Sequence, residues 1–326
     1  MEGKNKKTQV FKWAAVLMLA TMVLFTGCPN AAGGNSGGSN IPPASADKTY
    51  TVGGISFTMK GIAEVTNGTV GHTDHYDDNK PHTVSLSAYL IGETEVTQEL
   101  WTAVMGNNPS HFSGHPESGE MQEKRPVESV NWYQCIAFCN KLSLKLGLTP
   151  CYTVTVSGSP IDFSTLAYSA IPTSDNADWN STVLDMSKNG FRLPTETEWE
   201  WAAMGGKSDK WAGTNEKSKL KDYVWYNHSG EGNADNRTHE VKKKQPNAYG
   251  LYDMSGNVWE WCWDWRGSLP NPLPADYTGA DSGTGRAERG GSWDRNEYLA
   301  SRAFRGSGEP HDSFSNPGLR LAMSKN

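Results

Sequence analysis

The sequence has no excess of positive charge and few cysteines. The part that we predict to fold also lacks the common enzyme motifs. Its 326 residues carry a net charge of −6, so no basic excess attracts a phosphate backbone and nucleic acid is not an expected partner. No nucleophile elbow, P-loop, dinucleotide-binding fingerprint or H-E-x-x-H pair occurs after residue 46. The enzyme classes that depend on these motifs are therefore not indicated.

The composition also argues against a helical bundle. The chain contains 13 Trp, 34 Gly and 17 Pro, and its mean hydropathy is −0.62. This balance is typical of a domain with many turns, short elements and aromatic anchors. No internal repeat and no Pro/Ser-rich break occurs from about residue 47 onward, so we predict a single domain over residues 47–326.

The N-terminus resembles a bacterial lipoprotein leader. Several lysines precede an apolar run from Trp13 to Phe25, which has the length of a signal-peptide core and is too short to span a bilayer comfortably. Small residues before Cys28 resemble a lipobox, in which Cys28 becomes the lipidated first residue. An ordinary signal peptide is the alternative, because Phe25 is not usual at its position. We predict a signal peptide (1–27), a Gly/Ser-rich flexible tether (28–46), export, and membrane anchoring at the outer membrane or cell surface.

Three stretches predict helices. Thr97 can cap the first, which Gly106 can end. The second ends at Gly147 after apolar residues at helical spacing, and Thr195 with Glu198 forms a capping box at the start of the third. Short strands are predicted at residues 53–62, 82–93, 151–158 and 188–193, residues 159–187 are interpreted as a surface insertion, and long ordered loops with short strands are predicted from residue 205 onward.

Four cysteines follow the leader: Cys135, Cys139, Cys151 and Cys262. Export would permit disulfides. However, Cys135 and Cys139 lie one helical turn apart, and such a pair is more often two buried small hydrophobic residues. The pairing stays open.

Two polar stretches contain metal-ligand residue types. Residues 71–82 hold His72, His75 and His82 among aspartates, but their spacing fits no known site and favours a solvated loop. Residues 247–265 combine Gly turns with carboxylates, an Asn and alternating tryptophans. Carboxylate, amide and main-chain oxygens around a turn suit calcium, although the same side chains can simply hydrogen-bond the turn.

Several of these stretches together resemble one family. GFRLPTETEWEWAA (190–203), NAYGLYDMSGNVWEW (247–261), RGGSW (289–293), R-x-x-x-x-P (305–310) and GLR (318–320) are similar to signature blocks of the formylglycine-generating-enzyme family, also called the sulfatase-modifying-factor domain. The resemblance runs in order from about residue 53 to the C-terminus. It implies an α+β, C-type lectin-like fold with low regular secondary structure.

The resemblance implies a metal chemistry that this chain has lost. Enzymes of the family oxidise a sulfatase cysteine to formylglycine with copper held by two cysteines in the final segment, and Cu(I) prefers such soft ligands. Counting from RGGSW and GLR places those positions at Glu297 and Arg302. We therefore expect no copper and no oxidase activity, and a divergent formylglycine-generating oxidase acting on protein cysteine is the alternative.

The resemblance also implies a structural calcium site. The family's calcium ligands map onto Asp253, Gly256, Val258 and Glu260, partly through main-chain oxygens. Asp253 stands where the family enzyme has Asn, which is also an oxygen donor. Calcium is thus a possible cofactor.

A lipoprotein leader, a Gly-rich tether and a C-terminal frame resemble the non-catalytic branch of the family that serves diversity-generating retroelements. Adenine-directed mutagenesis there yields residues such as Asn, Asp, Arg, Tyr, Ser, Gly and Phe. The filling between RGGSW and GLR is rich in these types, and aromatic side chains with small polar ones make adaptable contact surfaces. The variable-type region is predicted at about residues 289–326. The expected ligand-binding residues are Trp293, Asp294, Arg295, Asn296, Tyr298, Leu299, Phe304, Ser307, Asp312, Phe314, Ser315 and Asn316.

We therefore expect a surface lipoprotein that binds a protein or glycan on another cell or host. A structural envelope protein without a specific ligand remains a further alternative. The ligand, the membrane leaflet, the oligomeric state and any actual variation stay open.

Overall fold

Capping side chains determine where four of the five α-helices in the described residues begin. The structure is a computed structural model that describes residues 46–73, 77–227 and 232–325. Its α-helices are α1 (Gln98–Met105), α2 (Trp132–Lys145), α3 (Ala177–Asn180), α4 (Glu196–Met204) and α5 (Leu220–Tyr223). Thr97 caps α1 and Gly106 ends it in the left-handed conformation. The predicted capping box of Thr195 and Glu198 opens α4. The three predicted helices are confirmed.

The strands are short and form two four-stranded sheets and three two-stranded pairs in the described residues. They are β1 (Lys48–Val52), β2 (Ile55–Ile62), β3 (Val65–Val70), β4 (His82–Leu86), β5 (Tyr89–Gly92), β6 (Tyr152–Thr153), β7 (Thr155–Val156), β8 (Ser159–Pro160), β9 (Val183–Leu184), β10 (Trp259–Trp265), β11 (Arg286–Arg289), β12 (Gly306–Gly308), β13 (Pro317–Leu319) and β14 (Ala322–Ser324). The sheet orders are β1-β2-β5-β14 and β12-β11-β10-β13, and the pairs are β3-β4, β6-β9 and β7-β8.

The tryptophan-rich strand β10 organises the second sheet. It pairs antiparallel with β11 and parallel with β13, so that Trp261 lies opposite Glu288 and Leu319. Tryptophan occupies every second position of β10, so these side chains lie on one face of the sheet. Trp261 and Trp263 pack into the main core with α2. The C-terminal segment therefore lies on the same sheet as the motif at residues 247–261.

Three strand predictions are wrong in part. Residues 82–93 form two strands in different sheets, and the chain turns where Ser87 binds Asp276 through its amide and its hydroxyl. Residues 151–158 divide between β6 and β7, which pair with different partners. Residues 188–193 form no strand: Arg192 makes one isolated bridge to Ala322, and its side chain turns to Glu198.

The surface insertion predicted at residues 159–187 is also wrong in part. Its backbone is irregular, but Phe163, Ile171 and Trp179 are buried in the main core. The segment is polar overall, so these separated apolar residues produce no periodic signal. Burial of large side chains, rather than regular structure, fixes its position.

The remaining sequence predictions have different outcomes. Cys135, Cys139, Cys151 and Cys262 are free and buried, as expected for small hydrophobic residues. The signal peptide, Cys28 and the tether up to residue 45 lie outside the described residues, as do Asp74 and His75. No helix in the described part of the chain is long and apolar enough to cross a membrane.

Candidate ligand-binding surface

Two glycines begin the C-terminal segment with a sharp turn. Gly290 and Gly291 follow β11 and have φ values of 95° and 74°, a region that favours glycine. A Cβ on Gly291 would lie 2.7 Å from the Cα of Ala300. The RGGSW motif is therefore needed for backbone geometry and for close packing of the returning chain.

Buried arginines fix the underside of the segment to α4. Arg305 donates from Nε and Nη2 to the two carboxylate oxygens of Glu196, each at 2.6 Å. Arg289 and Arg302 bind Glu200 at 2.6 and 2.9 Å. Burial opposes ionisation of Glu196 and Glu200, but the neighbouring guanidinium groups lower the pKa of both. These ion pairs hold the frame in place.

The predicted contact residues lie on the outer side of this frame. None of them is buried: Arg295, Ser307 and Phe314 are exposed and the others are half-buried. Phe314 is 64% exposed, which is more than any other large apolar side chain of the described residues. By contrast, residues 300–303 and 317–323 are buried. The segment thus alternates between a fixed frame and outward side chains.

Hydrogen bonds hold the two ends of the surface together. The Trp293 indole donates to the Ser315 carbonyl at 3.0 Å, and its ring meets Phe112 edge to face at 5.0 Å. Asn316 donates to both carboxylate oxygens of Asp294. Trp293, Asp294 and Asn316 therefore shape the surface as well as lining it.

An aromatic group forms its centre. The Phe304 ring lies 5.7 Å from Tyr298 and 5.9 Å from Trp259, distances at which aromatic pairs attract. Tyr298 and Phe304 are both half-buried. They offer rigid contact area at low entropic cost.

In strand β12, two glycines that pack against tryptophan rings flank one exposed serine. A Cβ at Gly308 would lie 2.7 Å from Trp261, and one at Gly306 would lie 3.1 Å from Trp259. Ser307, between them, is exposed. Although Gly306 and Gly308 are of the residue types expected from retroelement mutagenesis, the tryptophan rings leave no room for a Cβ at Gly308 and little room for one at Gly306.

Sequence reasoning missed Glu288. This residue lies on β11 opposite Gly306 and Trp261, and it is half-buried beside the predicted contact residues. Burial, together with the nearby Asp312, raises its pKa to about 8, and Arg295 opposes the shift. The alternation of R-A-E-R places Glu288 on one face of β11, but the pairing of β11 must also be known to place this residue beside the surface.

Glu297 and Arg302 take part in charge contacts. Glu297 pairs with Lys217 at 2.6 Å and accepts the Trp211 indole hydrogen bond at its carbonyl. Arg302 is buried and pairs with Glu200. Neither position offers a soft metal ligand.

The predicted calcium ligands are held by different partners. Arg320 donates to both carboxylate oxygens of Glu260, at 2.7 and 2.9 Å, and the Trp199 indole donates to one of them. These groups are fully buried. Arg320 thus supplies to Glu260 the positive charge that a cation would supply.

Asp253 has a different environment. Its Oδ2 accepts the Lys242 amide at 3.0 Å, while Oδ1 is buried without a hydrogen-bond donor among the described residues. Burial raises the pKa of Asp253 to about 6. Nearby, the Gly256 amide donates a hydrogen bond to the Gly290 carbonyl, and the Val258 amide donates one to Glu95. The predicted site would use the carbonyl oxygens of Gly256 and Val258 as calcium ligands. As a set these residues do not fit a calcium ion while Arg320 holds Glu260, and calcium binding stays a prediction.

The fold and the motif geometry define a class. The described residues form mixed helices and strands, with about 18% helix and 24% strand, arranged as the C-type lectin-like fold of the formylglycine-generating-enzyme type. It matches the sulfatase-modifying factor enzyme 1-like domain over residues 42–325, and it belongs to this family. The predicted family and fold class are confirmed.

Similar proteins include a variable protein, a protein named as a chaperone and a formylglycine-generating enzyme. The solved structure of Treponema denticola variable protein 1 is 60% identical, with a TM-score of 0.83, and the match covers 86% of this chain and 100% of that one. A protein named chaperone protein LppX, from Paenibacillus barcinonensis, is 33% identical over 96% of this chain and 99% of its own length. The formylglycine-generating enzyme of Streptomyces coelicolor is 29% identical over 74% of this chain and 80% of its own.

Proposed function

We propose that this chain is a non-catalytic, lipid-anchored surface protein that binds a protein or glycan of another cell through residues 293–316. The observation that carries the proposal is the exposure pattern. Every predicted contact residue is exposed or half-buried, whereas Arg302 and Arg305 between them form buried ion pairs and Gly306 and Gly308 pack closely against tryptophan rings. Such a surface can change its side chains without changing its frame. This property is what diversification by a retroelement would need.

The metal chemistry supports a non-catalytic role. An oxidase of this family would need two thiolates in the final segment, and Glu297 and Arg302 are charged residues engaged with Lys217 and Glu200. The cysteines of the described region are buried, and burial raises the pKa of each thiol. A thiol that resists ionisation is a poor ligand for copper.

Two relatives support a non-catalytic role. The variable protein 1 structure matches 86% of this chain at 60% identity, and another relative is named as a chaperone rather than as an enzyme. Both match this chain over a larger share than the enzyme of Streptomyces coelicolor does. The family's enzymes keep the oxidase alternative open to test.

The first test exchanges the outward aromatic residues. Tyr298→Ser, Phe304→Ser and Phe314→Ser are combined in the full-length chain, and binding to a panel of bacterial and host cells and to a glycan array is compared with the parent. We expect binding to be lost or redirected while the far-ultraviolet circular dichroism is retained. Val183→Ser is the matched control, because Val183 is 62% exposed and lies outside the surface. Unchanged binding by the triple variant would contradict the proposal.

The second test addresses the alternative activity. The protein is incubated aerobically with copper and a sulfatase-derived peptide that contains cysteine, and peptide mass is followed. We expect no conversion to formylglycine, since no thiolate pair is available in the final segment. Turnover would establish the oxidase alternative instead.

The anchor has its own test. Cys28→Ser should move the chain from the membrane fraction to the soluble exported fraction and remove a lipid mass from the mature N-terminus. Retention in the membrane at the unmodified mass would contradict lipidation.

A further inference from the structure

Glu288 lies at the floor of the candidate surface. On β11 it faces the same side of the sheet as Trp261 and Gly306. Its Oε1 lies 3.2 Å from the point where a Cβ of Gly308 would be. Because the two residues of β12 beside it carry no side chain, the carboxyl group is not covered from that direction.

The Glu288 carboxyl group has no fixed partner. It accepts no hydrogen bond and forms no ion pair with any residue in the described part of the chain, and its oxygens are not enclosed. The charged groups that face it are Asp312, which has the same sign, and Arg295. Arg295 is exposed, and its nearest acidic contact is Asp294 at 3.7 Å. A half-buried carboxyl group without a partner is costly, which is unusual in a molecule whose other buried acids are mostly paired.

The surroundings favour an organic cation over a metal ion. No group of three or more His, Cys, Asp or Glu side chains is arranged to hold a metal among the described residues. An aromatic ring lies close to the carboxyl group instead: the Trp261 ring and Oε1 of Glu288 lie 2.7 and 3.2 Å from the same point, where a Cβ of Gly308 would be. Phe304, two residues before β12, adds a ring that contacts Tyr298 and Trp259. Aromatic faces attract ammonium and guanidinium groups, and a carboxylate binds a guanidinium in a two-point geometry.

We propose that Glu288 is a constant anchor that binds an arginine or lysine side chain of the protein partner, while the outward residues around it select among partners. The inference rests on the proposed function and narrows its ligand from a protein or glycan to a protein with an exposed basic residue. Glu288 lies before residues 289–326, so exchange of side chains in that region leaves the anchor in place.

The test uses a small probe and needs no natural partner. Nα-acetyl-arginine methylamide is titrated into the purified full-length chain and compared with the citrulline analogue, which has the same shape without the charge. We expect the arginine probe to bind at least about tenfold more tightly, the factor that corresponds to one charge-assisted contact. Glu288→Gln should remove the preference, and Glu309→Gln, an exposed acid of the same segment, should keep it.

The pH dependence separates an anchor from a merely structural glutamate. Because the pKa of Glu288 is raised to about 8, the group is largely protonated at pH 6 and a cation must displace its proton. The affinity for the arginine probe should rise about tenfold per pH unit below 8 and then level off. The Glu288→Gln variant should show a flat profile.

Several outcomes would overturn the anchor. Equal binding of the arginine and citrulline probes, a preference that survives Glu288→Gln, or a flat profile in the parent protein would each do so. None of these depends on the aromatic exchange at Tyr298, Phe304 and Phe314, which tests the proposed function separately. The anchor can therefore fail while the binding surface stands.

Discussion

Replacing Arg305 with serine tests whether the frame of the C-terminal surface is fixed by buried charge. Arg305 makes a two-point ion pair with Glu196, and both side chains are almost fully buried. Removing it leaves Glu196 with Arg289 at 3.3 Å and with Asp264 nearby. Breaking a buried pair costs roughly 3–5 kcal/mol. Because Arg289 remains, we expect the lower end, about 3 kcal/mol, and a fall in Tm of about 6 °C.

The matched control is Phe314→Ser, which places the same residue type at an outward position. Since Phe314 is 64% exposed, its loss should change the free energy of unfolding by less than about 0.5 kcal/mol. Both variants are measured by urea and thermal unfolding of the full-length protein. Combining Arg305→Met with Glu196→Gln should recover part of the loss, because no charge is left stranded. An Arg305→Ser variant within about 1 kcal/mol of the parent, or a Phe314→Ser variant that loses more than about 2 kcal/mol, would refute the division between frame and surface.

Other predictions follow from single contacts. Gly308→Ala should destabilise by about 1–3 kcal/mol through its contact with Trp261, whereas Ser307→Ala should be neutral in the same urea titration; equal effects would be inconsistent with the alternation. Burial raises the pKa of Asp264 to about 8, so the unfolded chain releases its proton first and stability should fall as pH rises from about 4 to 8; Asp264→Asn should flatten that slope, and an unchanged slope would count against it. The Glu260–Arg320 pair leads us to expect equal Tm in calcium and in chelator, and a rise in calcium that Asp253→Asn removes would support the sequence-predicted site instead.

Local signals in the sequence were sufficient for the parts of the fold that depend on local chemistry. The capping box of Thr195 and Glu198 and the alternating tryptophans of β10 formed as predicted, because a cap and a period-two pattern act over a few residues. The strands at residues 82–93 and 151–158 were misjudged, because each divides between partners that are distant in the sequence. Residues 188–193 look like a strand but are held by the side chain of Arg192, which no backbone pattern reveals.

The exposure of the candidate surface could be predicted from the sequence, but the packing beneath it could not. The predicted contact residues follow from composition and from the family motifs, and each is exposed or half-buried, while their role in ligand binding stays a prediction. The closely packed glycines at 306 and 308 could not be distinguished from replaceable ones, because the tryptophans that pack against them lie 47 residues earlier in the chain. Glu288 could not be predicted from the sequence for the same reason, because its uncovered position depends on the glycine that lies opposite it on β12.

The buried ion pairs explain how the exposed surface can be held in position. A segment that must tolerate many side chains cannot rely on those side chains for stability, so its position has to be fixed from beneath. Three arginines within or at the start of the segment, Arg289, Arg302 and Arg305, bind two glutamates of α4. Replacing buried ion pairs with apolar residues is often neutral or stabilising, so their value here lies in specifying one loop path. Long, directional arginine contacts fix the backbone at three points, and the predicted contact residues face outward between and after these points.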